Sequence, residues 1–371
     1  MISTDMLNNN LRHKVKLKSD ELLKKYENFG DISAFYKINI NDKGKQLRGT
    51  LLLLAYNANL NEKNEIDEEA YDLAVVMEFL HSALLVQDDV IDKDNTRRQN
   101  KTVHKQLEEM YGNKLPSDCA AYMIGTFCIS YAIQLFFDVT NKNSCQNEKY
   151  KKIEEIFFEL LLDTIQGEGY DMYFPIYDIH KYCNREDDKE DDKEDDREEI
   201  ALETSALKTA AYSFEMPLRI GHIFSGGDDN KEWFHKYGKV LGIAFQMTND
   251  LKALKKIEHY KINKRNLNMI DIYPYRITNA NAIAFREKTN LLDEVRSLNS
   301  GSLSYKDIVS NLQNIQYNYP YGFVKNELLK QINKYLKESE ELLESSDCPI
   351  KGEGKTALKD YINDLFRKEI G

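Results

Sequence analysis

The stretch "HSALLVQDDVIDKDNTRR", from His81 to Arg98, determines how this chain is interpreted. An apolar helical run ends there in four aspartates within seven positions, and two adjacent arginines follow. The aspartates are Asp88, Asp89, Asp92 and Asp94. In a helix Asp88 and Asp92 lie one turn apart on the same face, and like charges at that spacing cost roughly 0.2–0.5 kcal/mol per pair. Acids at the carboxyl end of a helix also oppose its macrodipole, at about 0.3–1 kcal/mol each.

A divalent cation would relieve both penalties. Mg²⁺ prefers oxygen ligands, typically takes one or two carboxylates and completes its octahedron with phosphates and water. Arg97 and Arg98, directly beyond the aspartates, suit the binding of a diphosphate. The alternative is a solvated charged turn that binds nothing. The residue types and their spacing favour metal-phosphate chemistry over that alternative.

The rest of the chain predicts an all-α fold. Its 371 residues contain only 6 Pro and 17 Gly, and apolar residues recur at three- and four-residue steps over seven segments. These segments are Leu51–Tyr56, Ala70–Gln87, Ala120–Phe137, Ile153–Gln166, Ile200–Ile223, Trp233–Leu254 and Asn326–Leu343. We find no alternating strand pattern with hairpin turns. We therefore expect one helical domain over residues 1–371.

An acidic repeat interrupts this domain at residues 184–199. From Arg185 to Glu199 the net charge is −7, which leaves only −4 of the total −11 for all other residues. Such a run cannot bury apolar surface, so we interpret it as a solvated loop insertion. Its Asp187-Asp188-x-x-Asp191 matches the letters of the first aspartate cluster, but no apolar helix precedes it. Without a basic stripe elsewhere, nucleic acid is not expected as a partner.

Neither a transmembrane segment nor a secretory signal is expected. The longest apolar candidate that we identify, "AVVMEFLHSALLV", is interrupted by Glu78 and His81, and the N-terminus has no apolar signal region. Five cysteines show no metal-binding spacing, which fits reduced thiols. We therefore expect a cytoplasmic location, since no arginine-rich amphipathic pattern indicates organellar targeting.

The segment "HSALLVQDDVIDKDNTRRQNKTVH" resembles the first aspartate-rich motif of the all-trans isoprenyl diphosphate synthases, the polyprenyl synthetase family. Further resemblances follow in the family's order: "GKQLRG", "GEGYDM", "LKTAAYSFEMPLRIG", "GIAFQMTNDLKAL" and the closing "ALKDYINDLFRKEIG". The resemblance implies an isoprenoid-synthase-type helical bundle around a central apolar cavity. It also implies a homodimer that condenses isopentenyl diphosphate with an allylic diphosphate, using two or three Mg²⁺ ions.

The resemblance also assigns roles to matching positions. It implies that Asp88 and Asp92, supported by Asp89, bind Mg²⁺ on the allylic diphosphate, which Arg97 contacts. Lys45, Arg48, His81 and Arg98 would bind the diphosphate of isopentenyl diphosphate. Lys208 and Thr209 would hold the leaving diphosphate, which itself takes the proton. Asp171 and Gln246 belong to the substrate-binding set, while Glu168 stands where the family usually has Gln. Taken alone, His81 is more often expected to be a satisfied core histidine, and the alternative for Lys45 and Arg48 is a solvated helix start.

The second aspartate-rich motif departs from the family's Asp-Asp-x-x-Asp. After Phe245-Gln246 the chain has Asn249, Asp250 and Ala253, so two of the three carboxylates are missing. The resemblance implies a separate Mg²⁺ here, which Asn249 and Asp250 would have to hold. Three interpretations stay open: an active synthase, a catalytically weakened member that acts as a regulatory subunit, and a class I terpene cyclase. A cyclase needs no isopentenyl-binding cations, and all four are present, which favours the synthase.

The residues before Asp88 bear on product length. In the family, the residue five positions before the first aspartate often limits the chain tunnel, with bulky aromatics giving short products. Here that residue is Ala83, followed by Leu84, with Leu80 and Phe79 one turn deeper. We expect the tunnel to pass Ala83 and to end near Phe79, which favours a twenty-carbon geranylgeranyl product, with longer ones open.

Overall fold

The computed structural model describes residues 4–26, 44–60, 65–97, 100–141, 148–183, 197–258, 278–288, 291 and 305–370. These residues are almost all helical, which confirms the all-α prediction. The α-helices are α1 Thr4–Lys25, α2 Leu47–Asn57, α3 Glu68–Ile91, α4 Val103–Tyr111, α5 Ser117–Thr140, α6 Glu148–Cys183, α7 Arg197–Ser205, α8 Met216–Phe224, α9 Lys231–Glu258, α10 Asn279–Glu287, α11 Tyr305–Asn318, α12 Tyr321–Glu344 and α13 Gly352–Ile370. All seven segments predicted from periodicity lie inside observed helices.

A short β-hairpin and a π-helix depart from regular α-helical structure. Strands β1 Thr96–Arg97 and β2 Asn100–Lys101 pair antiparallel directly after α3. This hairpin was not predicted, because a two-residue strand is too short to show alternation. A π-helix, Ala206–Glu215, joins α7 to α8. Extended π-helical geometry is rare and often occurs at functional sites.

The described helices group into two compact units. The first unit comprises Met1–Phe158, Met216–Phe234 and Asp347–Ile362. The second unit comprises Glu159–Glu215, His235–Ser346 and Asn363–Gly371. Our expectation of a single domain over residues 1–371 stays a prediction.

In the first unit α3 packs along α5. Ala83, Val86 and Val90 follow one another at three- and four-residue steps on α3 and form one buried cluster with residues of α4 and α5. The two helices approach closely at Gly125, because a Cβ atom there would lie 3.2 Å from the Ala83 carbonyl oxygen. Glycine is therefore needed on α5 at this level.

In the second unit two glycines let neighbouring helices approach the π-helix. A Cβ atom on Gly167 of α6 would lie 2.3 Å from the backbone nitrogen of Lys208. A Cβ atom on Gly242 of α9 would lie 2.2 Å from the Cβ atom of Ala210. The segment that contains Lys208 and Thr209 is thus tightly packed against two helices.

The acidic insertion ends earlier than predicted. Arg197 already begins α7, and its guanidinium stacks on Phe285, so residues 197–199 belong to a helix. An arginine that packs on an aromatic ring can join a helix despite its acidic neighbours. The remaining residues of the insertion, 184–196, lie outside the described part of the chain.

The expectation about membrane segments needs a correction. Within the described residues one helix, α5, is long and apolar enough to cross a membrane by length and composition alone. The stretch from Cys119 to Phe137 contains no charged residue and is a longer uncharged run than "AVVMEFLHSALLV". The face of α5 that carries Ala121, Ile124 and Cys128 is buried against α3 and α4. Such packing also occurs in the core helices of soluble proteins, so this helix is weak evidence for a membrane.

Candidate functional site

The aspartates at the end of α3 surround one arginine. Arg97 donates from Nε to Oδ1 of Asp89 and from Nη2 to Oδ2 of Asp88, the latter across 3.2 Å. Its Nη2 also lies 3.6 Å from a carboxylate oxygen of Asp94. The guanidinium therefore supplies positive charge to three carboxylates that would otherwise repel one another.

A tight turn brings Arg97 back to the helix it follows. α3 ends at Ile91 and is capped by Asp92, whose backbone N–H donates to the Asp88 carbonyl oxygen across 2.8 Å. Lys93 then adopts a left-handed conformation with φ of 56°, which reverses the chain direction. Thr102 Oγ1 donates to the Asp94 carbonyl oxygen across 2.7 Å and fixes the hairpin that carries Arg97. The local sequence thus builds the cluster without help from distant segments.

Asp89 differs from the neighbouring aspartates in burial. Its side chain is 1% exposed, whereas that of Asp88 is 24% exposed. Burial raises the pKa of Asp89 to about 7, although the Arg97 guanidinium acts in the opposite direction. Because its outer oxygen is committed to Arg97, Asp89 is suited to orient that arginine.

Asp88 and Asp92 are the residues that fit a hard cation. They are one helical turn apart, both are only partly buried, and both offer carboxylate oxygens. The described residues contain no group of three or more His, Cys, Asp and Glu side chains arranged to hold a metal. Mg²⁺ usually takes one or two carboxylates and obtains its other ligands from phosphates and water, so its binding would not require such a group.

The cations predicted to bind isopentenyl diphosphate lie on two elements of the first unit. Lys45 is exposed and precedes α2, while Arg48 lies in the first turn of α2 and is buried. Gln46 between them adopts a left-handed conformation with φ of 51°. His81 is half-buried on α3, two turns before Asp88. Arg98 lies outside the described residues.

In the second unit Lys208 forms ion pairs with two acidic side chains. Lys208 Nζ lies 2.8 Å from Oδ2 of Asp171 and 2.9 Å from Oε2 of Glu168. The two acids come from α6 and the lysine from the π-helix, at the level where Gly167 permits close approach. All three side chains are partly buried, so the pair interactions are less screened than on an open surface.

A chain of hydrogen bonds leads from the π-helix to α10. Thr209 Oγ1 donates to Gln246 Oε1 across 3.0 Å, and Gln246 Nε2 donates to Asp250 Oδ1 across 3.3 Å. The other oxygen of Asp250 accepts a hydrogen bond from the backbone N–H of Ala280, at 3.2 Å. Asp250 therefore satisfies a donor in the first turn of α10.

This arrangement bears on the predicted metal role of Asp250. Its side chain is buried, and burial raises its pKa to about 6, against hydrogen bonds from Ala280, Gln246 and Asn279. Asn249, by contrast, is exposed on α9. The second motif thus offers one amide oxygen, that of Asn249, to a ligand. The Asp250 carboxylate accepts hydrogen bonds from within the protein instead. These residues fit a metal of their own poorly, so their assignment as metal ligands stays a prediction.

The residues expected to control product length are deeply buried. Ala83 is 0% exposed and faces Gly125 of α5. Phe79, one turn earlier, is also buried, and its ring lies 5.8 Å from that of Tyr131 of α5. Leu80 is buried, whereas Leu84 is only partly so. The role of these residues in setting product length stays a prediction.

Several residues that support these groups were not identified from the sequence. Asp94 was noted but given no role, although it is a partner of Arg97. Asn279 and Ala280 contact Asp250 from about thirty positions away, so no local pattern could indicate them. Gly167 lies within the quoted "GEGYDM", and a glycine beside two acids could have suggested a close helix contact.

Comparisons with known proteins show which family and which relatives this chain resembles. The family model described as "Polyprenyl synthetase" matches residues 31–301. A geranylgeranyl diphosphate synthase of Sulfolobus acidocaldarius is 28% identical over 239 residues, which cover 63% of this chain and 62% of the relative. A geranylfarnesyl diphosphate synthase of Aeropyrum pernix is 27% identical over 212 residues, 56% of this chain and 57% of the relative. The chain thus spans less than two thirds of these relatives.

Solved structures show the same fold. A crystal structure of geranylgeranyl pyrophosphate synthase from Corynebacterium glutamicum, complexed with isoprenyl diphosphate and magnesium, matches with a TM-score of 0.71. The match covers 97% of this chain and 98% of that one, at 20% sequence identity. At this identity the match supports the fold alone.

Proposed function

Because the chain belongs to the polyprenyl synthetase family, we propose that it is a Mg²⁺-dependent prenyltransferase that condenses isopentenyl diphosphate with an allylic diphosphate. The observation that carries this proposal is the cluster of Asp88, Asp89 and Asp94 around Arg97, next to the partly exposed Asp92. Such a cluster combines oxygen ligands for a hard cation with a guanidinium for a diphosphate.

The first unit would bind both diphosphates. Asp88 and Asp92 would hold Mg²⁺ on the allylic diphosphate, and Arg97, oriented by Asp89, would contact the same group. When bound, Mg²⁺ supplies positive charge that stabilises a departing diphosphate. Lys45, Arg48 and His81 would bind the second diphosphate, with Arg98 as a further cation. These roles are supported by residue type, by position on α2 and α3 and by family membership.

Family membership supports a leaving-group role for Lys208 and Thr209. Lys208 would donate to the diphosphate as the allylic C–O bond breaks and its electron pair moves to oxygen. The Thr209 hydroxyl would join it by exchanging its present acceptor, Gln246 Oε1, for a diphosphate oxygen. The double bond of isopentenyl diphosphate then attacks the allylic carbon, and the departing diphosphate accepts the proton that is lost. Gln246 holds Thr209 by the bond at 3.0 Å, so it would set the direction of that hydroxyl.

Product length, assembly and location follow as further parts of the proposal. A small residue at Ala83 favours products of twenty carbons or more, and relatives named geranylgeranyl and geranylfarnesyl diphosphate synthase support this range.

We propose a homodimer in the cytoplasm by analogy with the family. The burial of one face of α5 supports its interpretation as a core helix rather than a membrane span.

A second candidate function is a catalytically weakened member that serves as a regulatory subunit. Asn249 and Ala253 replace two family carboxylates, and the remaining Asp250 is bonded to Ala280 and Gln246. This observation favours reduced affinity for a third metal ion. A terpene cyclase is supported less well, because a cyclase has no use for Lys45 and Arg48.

The test is Mg²⁺-dependent incorporation of labelled isopentenyl diphosphate with each allylic primer in turn. We expect turnover that EDTA abolishes and added Mg²⁺ restores, and loss of at least about a hundredfold in Asp88→Ala. Asn249→Asp should raise activity if a third metal ion is limiting. Turnover of allylic substrate without isopentenyl diphosphate would instead indicate a cyclase. No turnover with any primer would contradict the synthase and favour the regulatory subunit.

A further inference from the structure

Helix α1 lies over the start of α2, where two of the predicted diphosphate-binding cations are located. Its buried face consists of residues spaced by four or seven positions that are almost completely covered. These residues are Leu7, Leu11, Val15 and Leu22. α1 precedes the segment matched by the family model, which begins at residue 31. The packing of α1 against α2 therefore lies outside the segment that the family model matches.

The start of α2 is a constrained piece of backbone. Gln46 has φ of 51° and ψ of 41°, a left-handed conformation that side chains other than glycine rarely adopt. A residue held in such a conformation persists only where its surroundings fix it, and this often occurs at binding sites. Gln46 lies between Lys45 and Arg48, so its conformation sets the direction of both cations.

Steric contacts from α1 help to hold this backbone. A Cβ atom on Gly49 would lie 2.6 Å from Cδ2 of Leu11 and 2.9 Å from the carbonyl oxygen of Ala74 on α3. The Gly49 N–H donates to Oε1 of Glu78 across 2.8 Å. The first turn of α2 is therefore enclosed by α1 on one side and α3 on the other.

Polar contacts from α1 reach both ends of the same segment. Arg12 Nη2 donates to the carbonyl oxygen of Gly44, immediately before Lys45, across 3.4 Å. Thr50 Oγ1 donates to Oδ1 of Asn8. These contacts lie on either side of Lys45 and Arg48, so α1 holds the binding segment at two points.

Arg12 and Arg48 both act electrostatically on Tyr361 of α13. Burial raises the pKa of this phenol on α13, whereas a hydrogen bond with Thr50 and the positive charges of Arg48 and Arg12 lower it. Both guanidinium groups are therefore within electrostatic range of one side chain. Arg12 adds positive charge next to a site whose predicted ligand is an anion.

We propose that helix α1, through Arg12, positions Lys45 and Arg48 to bind the diphosphate of isopentenyl diphosphate. This inference rests on the proposed prenyltransferase function and deepens it. Arg12 acts through the Gly44 carbonyl and does not itself touch the substrate, so it is a positioning residue. Losing it should affect one substrate, since the allylic site at Asp88 and Arg97 lies at the other end of α3.

The experiment compares steady-state kinetics of the full-length wild type, Arg12→Ala, Arg12→Lys and Lys16→Ala. Lys16 lies on the exposed face of α1 and controls for loss of a charge on this helix. Arg12→Ala should raise the KM for isopentenyl diphosphate about tenfold and leave kcat and the KM for the allylic substrate within about twofold. Arg12→Lys should restore most of the loss, because an ammonium group can still donate to the Gly44 carbonyl.

Equal effects of Arg12→Ala and Lys16→Ala would overturn the inference, as would a parallel rise of both KM values. If Arg12→Ala does not fold, Asn8→Ala removes the contact with Thr50 and should shift the same KM in the same direction. If the wild type shows no turnover, the proposed function fails. Calorimetry with isopentenyl diphosphate then decides: weaker binding by Arg12→Ala than by Lys16→Ala supports the positioning role, and equal or absent binding overturns it.

Discussion

The ammonium group of Lys208 lies 2.8 Å from the Asp171 carboxylate, and the Glu168 carboxylate lies 2.9 Å from the same nitrogen. One cation is thus shared by two acids before any substrate is present. A diphosphate that binds Lys208 must compete with both of them. The polyprenyl synthetase family usually has Gln at the position of Glu168. The extra acid should therefore weaken diphosphate binding at the proposed leaving-group site.

Glu168→Gln should strengthen that site. Removing one of the two negative charges next to Lys208 leaves its ammonium more available to a diphosphate, so we expect the KM for the allylic substrate to fall about threefold at low salt. The measurement is the KM at two ionic strengths, with the difference shrinking at the higher one. Glu203→Gln on the exposed side of α7 controls for a change in net charge. An unchanged KM in Glu168→Gln would contradict the interpretation.

Gly167→Ala tests whether α6 must touch the π-helix closely. The new Cβ atom would lie 2.3 Å from the Lys208 backbone nitrogen, which forces the backbone to move. We expect a loss of about 1–3 kcal/mol in the free energy of unfolding, together with reduced turnover as Lys208 and Thr209 shift. The measurement is denaturant unfolding combined with the incorporation assay.

Gly322→Ala is the matched control for Gly167→Ala. A Cβ atom on Gly322 would meet nothing within 4 Å, and the residue lies in the first turn of α12. Alanine loses less backbone freedom than glycine on folding, so this variant should be equally stable or more stable by up to about 1 kcal/mol. Equal stability losses in the two variants would show that the contact at Gly167 has no special importance.

The sequence predicted the elements whose cause is local. Apolar steps of three and four residues indicated α3, α5 and α9, because one buried face is enough to define a helix. The aspartates and Arg97 were also identifiable, since they lie within ten positions of one another and a single turn brings them together. The sequence could not distinguish Asp89 from Asp88, because both are aspartates. The structure distinguishes them by the burial of their side chains.

Features that depend on distant contacts could not be predicted. The π-helix at Lys208 and Thr209 is packed against Gly167 and Gly242, and neither contact leaves a periodic pattern in the sequence. Asp250 was expected to bind a metal because it belongs to a motif. Its bond to the Ala280 N–H depends on where the chain returns thirty residues later. Motif spacing identifies which residues belong together, whereas the use of each carboxylate is decided by tertiary structure.

Two substitutions on α3 should change product length in opposite directions. Ala83→Phe should shorten the product, because its ring would fill the seam that now holds Ala83 and Gly125. Phe79→Ala should lengthen it. The Phe79 ring lies against Tyr131, and one turn further Val75 and Leu135 line a cavity of about 540 Å³. The measurement is chromatography of dephosphorylated products. The same product from the wild type and both variants would disprove the assignment of this seam.

The stability of the first unit should depend on a buried ion pair far from the candidate site. Arg219 is 0% exposed and forms two hydrogen bonds of 2.7 Å with Asp229. Asp229→Asn would leave this guanidinium buried without its charged partner, which should cost about 3–5 kcal/mol in unfolding free energy. Lys152→Ala is the control, because Lys152 lies 3.6 Å from Asp229 and is 42% exposed, so its loss should cost less than about 1 kcal/mol.

The same pair predicts how this stability depends on pH. The Arg219 guanidinium, opposed by burial, holds the pKa of Asp229 below its ordinary value. A carboxyl whose pKa is depressed by folding stabilises the protein above its unfolded pKa of about 3.9, and this contribution is lost as pH falls through the lower folded value. The gap between wild type and Asp229→Asn in urea unfolding should therefore be constant from pH 5 to 8 and shrink below about pH 4. A gap that stayed the same at pH 3 would show that the charge of Asp229 does not cause the stabilisation.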